Sequence, residues 1–272
     1  MVLFPLVVLW IRDIRGGVPG DPYRGRRMRE APPPLDEKAL AASITSGTET
    51  PYEPARGTLE STHTGSRWSL KQVQRIFAES EKGHAYILSE SHHLVSDIGF
   101  GRDGSFYPVA SFLVREKFPD ISNVWMPHLF ASRAITYRTD TDNFQYPDVW
   151  QMPAELIRQG SGDCEDLAIL VVDWLLEKGF DARVVTGYTD SVNPKNGHAW
   201  AVVFHPKIKD FVVIEATSKW FLKTYPLAKY QRDLIPQTMW NRESFWENTG
   251  FPDNFDYNSP LWRKDSVFHP IP

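Results

Sequence analysis

The sequence predicts an α+β fold in which one helix packs on a mostly antiparallel sheet. The clearest helix lies over residues 163–179, where apolar side chains recur at helical spacing and Gly179 ends the run. Three runs rich in β-branched and aromatic residues follow, at 182–188, 198–204 and 211–216, with short polar loops around them. A helix followed by strands in short succession is typical of α+β folds rather than of alternating α/β folds.

The composition is that of a globular protein with few uses for cysteine. Hydrophobic residues make up 42% of the 272 residues, and the net charge of -4 argues against nucleic acid as a partner. The only cysteine is Cys164. This count excludes an intrachain disulfide, a Cys2His2 zinc site and a cysteine-ligated iron–sulfur cluster. Cys164 is therefore either a small buried hydrophobe, the more common fate, or a nucleophile.

Residues 1–60 are predicted to precede the folded domain. The apolar run 1–11 is shorter than the roughly 20 residues that a bilayer span needs, and its positive charges follow it, unlike those of a secretory signal. Residues 16–60 are rich in Gly, Pro and Arg and read as a flexible linker. We expect weak membrane association through the apolar segment, and an extracytoplasmic or membrane-associated location.

The elements before the clear helix are predicted from periodicity. Residues 69–81, 109–118 and 125–137 have helical spacing. Residues 86–93 fit either a strand or a short helix, and residues 140–148 read as a polar loop.

Two further segments complete the prediction. Pro153 suits a first helical position, and the short helix that it begins is stopped by Gly160. Residues 226–272 are rich in Trp, Phe, Pro and Asn without a clear period, so we interpret them as an aromatic-rich C-terminal extension. The sequence contains no internal repeat.

Cys164 lies at the start of the predicted helix, where unpaired backbone N–H groups and the helix dipole favour a thiolate. His198 begins the second β-rich run and Glu215 lies inside the third, on the faces that carry apolar residues such as Trp200. A carboxylate on an apolar face is costly unless it is paired, and His198 is the natural partner. These residues would supply nucleophile, base and orienting acid. Alternatively, they are edge-strand polar residues beside a buried cysteine.

Four pieces in a fixed order carry a family resemblance: Asp-Val-Trp-Gln-Met-Pro-Ala-Glu at 148–155, Gly-Ser-Gly-Asp-Cys-Glu-Asp-Leu-Ala at 160–168, Gly-His-Ala-Trp at 197–200, and Val-Ile-Glu-Ala-Thr at 213–217. The set resembles the transglutaminase-like superfamily and is similar in particular to its prokaryotic branch of cysteine proteases. The resemblance covers about residues 105–220. It implies a catalytic domain over 61–272 in which 226–272 extends the core.

The resemblance implies a papain-like core with a Cys–His–acid triad. Cys164 matches the nucleophile and His198 the general base. Glu215 falls where the family usually has Asp, in a segment commonly written Asp-Pro-Thr, so this chain departs from the pattern. The Cys164 backbone N–H is expected to be one oxyanion donor, and Trp150 or Gln151 is a candidate for the other.

The acids Asp163, Glu165 and Asp166 should oppose a thiolate at Cys164. Asp163 and Asp166 could instead cap the helix, as in a capping box. Alternatively, a hard cation such as Ca²⁺ neutralises the three acids. Similar bacterial periplasmic proteases are calcium-dependent and use acids beside the cysteine, which implies a calcium site here. Acids of the 140–148 loop could add ligands or be solvated turn residues.

The predicted function is that of a cysteine-dependent hydrolase, a protease that cleaves peptide or glutamine amide bonds through a thioester. Its partner would be a protein or peptide substrate, and the chemistry itself would need no cofactor. The main alternatives are a transglutaminase, in which an amine resolves the thioester, and a catalytically silent peptide-binding module. A peptide N-glycanase or acyltransferase could also use the same three residues.

Overall fold

The computed structural model describes residues 38, 41–42, 54–73, 85–88, 94–114, 117–121, 123–189, 197–219 and 226–271. Its helices are α1 Met126–Ala134, α2 Asp140–Phe144, α3 Pro153–Gln159 and α4 Cys164–Glu177. Its strands are β1 Gly57–Ser61, β2 Arg67–Ser69, β3 Ala85–Leu88, β4 Leu94–Phe100, β5 Phe106–Pro108, β6 Thr136–Tyr137, β7 Ser161–Gly162, β8 Ala182–Tyr188, β9 Gly197–His205, β10 Asp210–Ile214, β11 Ile235–Trp240, β12 Ser244–Asn248 and β13 Trp262–Pro270.

An eight-stranded antiparallel sheet forms the centre of the fold, in the order β10-β9-β8-β11-β12-β13-β1-β2. Strands β3, β4 and β5 form a second antiparallel sheet, and β6 and β7 form a short parallel pair. The predicted α+β class is therefore confirmed.

Helix α4 packs against strands β8 and β9 and buries most of its surface. Its apolar stripe includes Leu167, Leu170 and Trp174, all buried in one core with the small side chains Ala199 and Ala201 of β9. Gly179, just beyond the helix, has a φ of +81°, a conformation that glycine adopts without a steric penalty. The predicted helix and its stop signal are both confirmed.

The C-terminal extension is part of the central sheet rather than an appendage to the core. Strand β11 pairs with β8, and β13 pairs with β1, so the sheet begins at Gly57, slightly before the predicted boundary at residue 60. Register shifts occur between Pro236 and Thr238 and between Phe245 and Trp246. Such bulges break the two-residue alternation of a strand, which explains why the sequence shows no clear period there.

The helix prediction for 125–137 is confirmed over Met126–Ala134, whereas Thr136 and Tyr137 at its end form strand β6, and the prediction for the segment after Pro153 is confirmed by α3. In the ambiguous segment 86–93, residues 86–88 belong to strand β3, and residues 89–93 lie outside the described residues. The predicted helix at 109–118 is wrong: among the described residues of this segment, only a single 3-10 turn forms, at Val109–Phe112, and all four of its residues are buried. A helix with one apolar stripe would have left one side exposed, so tertiary packing overrides the local pattern.

The remaining differences lie in polar or terminal segments. The predicted loop at 140–148 contains helix α2, which begins after Thr139, a capping residue whose hydroxyl accepts the Asp142 N–H at 3.3 Å. Residues 70–73 are helical, and the rest of the predicted helix 69–81 lies outside the described residues. The apolar segment 1–11 and most of the linker also lie outside them. Across the described ranges, no helix has the length and apolar character that a membrane span requires.

Candidate active site

Cys164 is the first residue of α4, and two neighbouring elements fix its surroundings. The parallel pair β6–β7 places Tyr137 opposite Gly162, two residues before the cysteine. The thiol is partly buried and donates a hydrogen bond to Glu165 Oε2 at 3.3 Å. The sulfur therefore lies at a helix N-terminus and is hydrogen-bonded to an acid.

His198 and Glu215 meet at the ends of neighbouring strands. His198 is the second residue of β9, and Glu215 follows the last residue of β10, Ile214. His198 Nε2 lies 2.9 Å from Glu215 Oε2. Glu215 was predicted inside the strand and instead lies one residue beyond its end. There, Thr217 donates from Oγ1 to Glu215 Oε1 at 2.7 Å and fixes the second carboxylate oxygen.

The imidazole of His198 is held as a cation by its two partners. Burial alone lowers its pKa, but the hydrogen bonds to Cys164 and to Glu215, together with their negative charges, raise the pKa to about 10. The pKa of Glu215 is lowered, because its hydrogen bond and charge interaction with His198 outweigh the effect of burial. Since Nε2 is used by Glu215, Nδ1 is the nitrogen left for the thiol. The structure thus brings the three predicted triad residues together.

A second histidine lies behind this acid. His128 of α1 is buried and its Nε2 contacts the Ser218 carbonyl at 2.9 Å. Burial lowers the pKa of His128, against the opposing effects of that hydrogen bond and of the Glu215 charge. It therefore acts as a neutral hydrogen-bond donor that ties α1 to the turn after Glu215. A lone histidine on an amphipathic helix gives no sequence signal for such a role.

The predicted side-chain oxyanion donors need correction. The indole N–H of Trp150 donates to Asp148 Oδ1 at 3.0 Å, and the ring is buried against Phe112 and Trp240. The side-chain amide of Gln151 is fully buried and donates to the Ser161 carbonyl and to Asp166. Both N–H groups donate hydrogen bonds within the fold, so neither is available to bind an oxyanion.

Tyr137 is a better candidate and was missed by sequence reasoning. Burial raises the pKa of its hydroxyl, and the next largest cause is the charge of Cys164. The hydroxyl therefore stays protonated within the electrostatic influence of Cys164, while the side chain remains 43% exposed. Only the pairing of β6 with β7 brings it there, and two-residue strands leave no periodic signal.

Four carboxyl groups cluster beside the nucleophile: Asp140, Asp163, Glu165 and Asp166 each place an oxygen within 4.8 Å of the others. Burial, followed by the charges of neighbouring groups, raises the pKa of Asp140 to about 7 and the pKa of Glu165 well above its usual value. Within the described part of the chain, one oxygen each of Asp140, Asp163 and Glu165 is buried without a hydrogen-bond partner. These orphaned acceptors fit a hard cation such as Ca²⁺.

Asp166 has a structural role in this cluster. Its Oδ1 accepts the Gln151 backbone N–H at 2.7 Å, and its Oδ2 accepts the Gln151 side chain and the Asp163 backbone N–H. The hydrogen bond from the Asp163 backbone N–H to Asp166 belongs to a capping box, which was one of the two predicted alternatives for these acids. The cluster contains all three predicted acids, Asp163, Glu165 and Asp166, and adds Asp140.

Comparison with protein families matches residues 123–216 to the transglutaminase-like superfamily. This segment contains Cys164, His198 and Glu215, so the resemblance predicted from the motifs is confirmed over the region that carries them. The comparison with curated proteins finds no match.

Several solved structures are similar to parts of the chain. LapG of Legionella pneumophila is 22% identical with a TM-score of 0.40, covering 52% of this chain and 75% of its own. Its calcium-bound form is 21% identical with a TM-score of 0.39, covering 56% and 83%. The EGTA-treated form is 22% identical with a TM-score of 0.39, covering 51% and 73%.

Proposed function

We propose that the chain is a cysteine hydrolase, a protease acting on peptide or glutamine amide bonds, on the premise that residues 123–216 match the transglutaminase-like superfamily. One observation carries the proposal. His198 bonds through Nε2 to Glu215 at 2.9 Å and is also hydrogen-bonded to Cys164, which begins a helix. Nucleophile, base and orienting acid in this order form the arrangement of a thiol hydrolase.

In the first half of the reaction, the thiolate form of Cys164, paired with the protonated imidazole of His198, attacks the amide carbonyl carbon. A carbon–sulfur bond forms and the carbonyl oxygen gains a negative charge. The His198 imidazolium then gives its proton to the amide nitrogen, the carbon–nitrogen bond breaks and the amine leaves. Glu215 keeps the imidazole in orientation and stabilises its charge. The product of this half is a thioester on Cys164.

In the second half, water resolves the thioester. His198, now neutral, takes a proton from the water as its oxygen attacks the thioester carbon. The carbon–sulfur bond breaks, a carboxylic acid leaves, and the proton returns to the sulfur. An amine in place of water would give the transglutaminase outcome through the same steps.

We assign the oxyanion site to the backbone N–H of Cys164 and the hydroxyl of Tyr137. The N–H of a first helical residue has no partner within the helix. The raised pKa of Tyr137 keeps its hydroxyl protonated, and the charge of Cys164 is one of the causes of that shift. Two donors of this kind would stabilise the charge that develops on the carbonyl oxygen.

We further propose that Ca²⁺ is held by Asp140, Asp163 and Glu165. These side chains each contribute a buried oxygen without a hydrogen-bond partner among the described residues, and carboxylate oxygens are the ligands that Ca²⁺ prefers. Bound there, the ion would neutralise the acids that oppose the thiolate. The residues themselves perform every proton transfer described above.

The test compares the full chain with Cys164→Ala on a peptide library, with and without an added primary amine, in calcium or in chelator. Peptide cleavage that requires Cys164 is the expected result, and amine incorporation would instead identify a transglutaminase. His198→Ala should abolish activity. His205→Ala is the matched control, because His205 is buried at the opposite end of the same strand. Binding of peptides without turnover in every condition would overturn the proposal.

A further inference from the structure

The His198 ring rests on a buried indole. Trp200 follows two residues later on β9 and is fully buried, and the two ring centroids are 5.9 Å apart with planes inclined by 30°. On the neighbouring strand, His198 is paired with Gly187. A Cβ at Gly187 would lie 3.0 Å from the Trp200 ring and 2.0 Å from the Ile235 carbonyl oxygen. The glycine therefore leaves room for the indole beneath the catalytic imidazole.

The indole is fixed by a residue of the C-terminal segment. The Trp200 N–H donates to the Tyr257 hydroxyl at 3.0 Å, and both residues are buried. The Tyr257 ring stacks on Trp262, with centroids 5.6 Å apart and planes inclined by 20°, and it also contacts Phe211. This aromatic cluster lies on the face of the sheet opposite to helix α4.

The turn that carries Tyr257 is itself held by two buried asparagines. Asn248 donates to the carbonyl groups of Pro236 and Asn254, at 2.7 and 2.9 Å. Asn254 in turn donates to Asn248 Oδ1 at 2.9 Å. Tyr257 is thus placed by a hydrogen-bonded turn of the segment that follows the superfamily core, rather than by the core itself.

We propose that Tyr257 is a positioning residue for His198, acting through the hydrogen bond that fixes the plane of the Trp200 indole. The inference rests on the proposed function, since it assumes that His198 serves Cys164. Without the hydroxyl, the buried indole N–H loses its acceptor and the ring is free to tilt. A tilt of the surface on which the imidazole rests changes its alignment between Cys164 and Glu215.

The experiment uses the lone cysteine as a reporter. Iodoacetamide alkylates the full chain at Cys164 alone, so the rate constant at a fixed pH and calcium concentration measures how well His198 activates the sulfur. We expect Tyr257→Phe to lower this rate constant about three- to tenfold, the range that the loss of one hydrogen bond allows. We also expect the imidazole ¹⁵N signals of His198 to shift in histidine-labelled protein.

Tyr107→Phe is the matched control, because Tyr107 is equally buried and donates its hydroxyl proton to Asp103, within another part of the fold. It should leave the alkylation rate and the His198 signals unchanged. Equal effects of the two variants, or no effect of Tyr257→Phe, would overturn the inference.

A second variant keeps the test decisive if Tyr257→Phe does not fold. Trp200→Phe retains a ring but has no N–H, so it should lower the alkylation rate in the same way, and adding Tyr257→Phe to it should change nothing more. His198→Ala distinguishes a failure of the proposed function from a failure of the positioning role of Tyr257. If it leaves the alkylation rate unchanged, the proposed function fails; if it lowers the rate while Tyr257→Phe does not, only the positioning role fails.

Discussion

Replacing Arg242 with alanine should destabilise the whole domain, because it removes the cation paired with Asp173 of helix α4. Arg242 lies between β11 and β12, and its Nε donates to Asp173 Oδ1 at 2.8 Å. A second guanidinium nitrogen donates to the Asp173 carbonyl at 2.9 Å. The Asp173 side chain is fully buried, so without Arg242 its charge would remain in the protein interior without this partner.

The exposure of the pair determines the expected magnitude. Removing one partner of a buried ion pair costs about 3–5 kcal/mol in the free energy of unfolding, because the other charge stays desolvated. An exposed pair contributes about 0–1 kcal/mol. Arg67 and Glu60 provide that contrast: they lie 2.8 Å apart, with the Arg67 side chain 66% exposed. Arg242→Ala should therefore cost several times more than Arg67→Ala.

Urea unfolding followed by tryptophan fluorescence and circular dichroism measures both variants. We expect one cooperative transition, with Arg242→Ala about 3–5 kcal/mol less stable and Arg67→Ala within about 1 kcal/mol of wild type. The double variant Asp173→Asn/Arg242→Leu should recover part of the loss, since the buried charge is gone. Equal losses in the free energy of unfolding for the two arginine variants would contradict the view that burial of Asp173 sets the cost. Two separate transitions would show that residues 226–271 fold apart from α4.

The other predictions concern the site. The pKa of His198 is raised from 6.5 to about 10, so its pairing stabilises the fold fully below pH 6.5, and this stabilisation is lost as the pH rises through 10. The difference in free energy of unfolding between wild type and His198→Ala should therefore shrink over that range in unfolding titrations. A difference that stays constant with pH would contradict the pairing. Tyr137→Phe should lower the acylation rate about 100-fold in single-turnover assays, and an unchanged rate would exclude Tyr137 from the oxyanion site. Asp140→Asn should weaken calcium binding in calorimetry, whereas Asp142→Asn, at an exposed acid of the same helix, should not; equal affinities would remove Asp140 from the ligand set.

The sequence was most informative where local signals and tertiary structure agree. Helix α4 carries an apolar stripe, a capping acid and a terminal glycine, so its bounds and its packing face could be predicted. The β-rich runs after it predict strands, and a period of two along them places His198 and Glu215 on the faces that carry Trp200 and Val213. The helix start made Cys164 a candidate nucleophile, but it was the resemblance of the ordered motifs around Cys164, His198 and Glu215 to the transglutaminase-like superfamily that favoured this role over a buried cysteine.

The residues that were missed depend on contacts between distant segments. Tyr137 is brought opposite Gly162, two residues before Cys164, only by the two-residue parallel pairing of β6 with β7. Asp140, which the sequence left open as a further ligand, joins the acid cluster from a helix capped by Thr139. Tyr257 reaches Trp200 from 57 positions further along the chain. Short pairings and long sequence separations leave no periodicity to detect, and bulges hide the alternation of the C-terminal strands.

The glutamate at position 215 shows how the structure accommodates a departure from the usual aspartate. A longer side chain has one more rotatable bond, which would loosen its hold on the imidazole if only Oε2 were bound. Glu215 avoids this because its other oxygen accepts from both the hydroxyl and the backbone N–H of Thr217, at 2.7 and 3.3 Å. Its position just past Ile214 also places the carboxylate at the strand end that His198 faces. The local turn therefore supplies the rigidity that a shorter acid would have provided by itself.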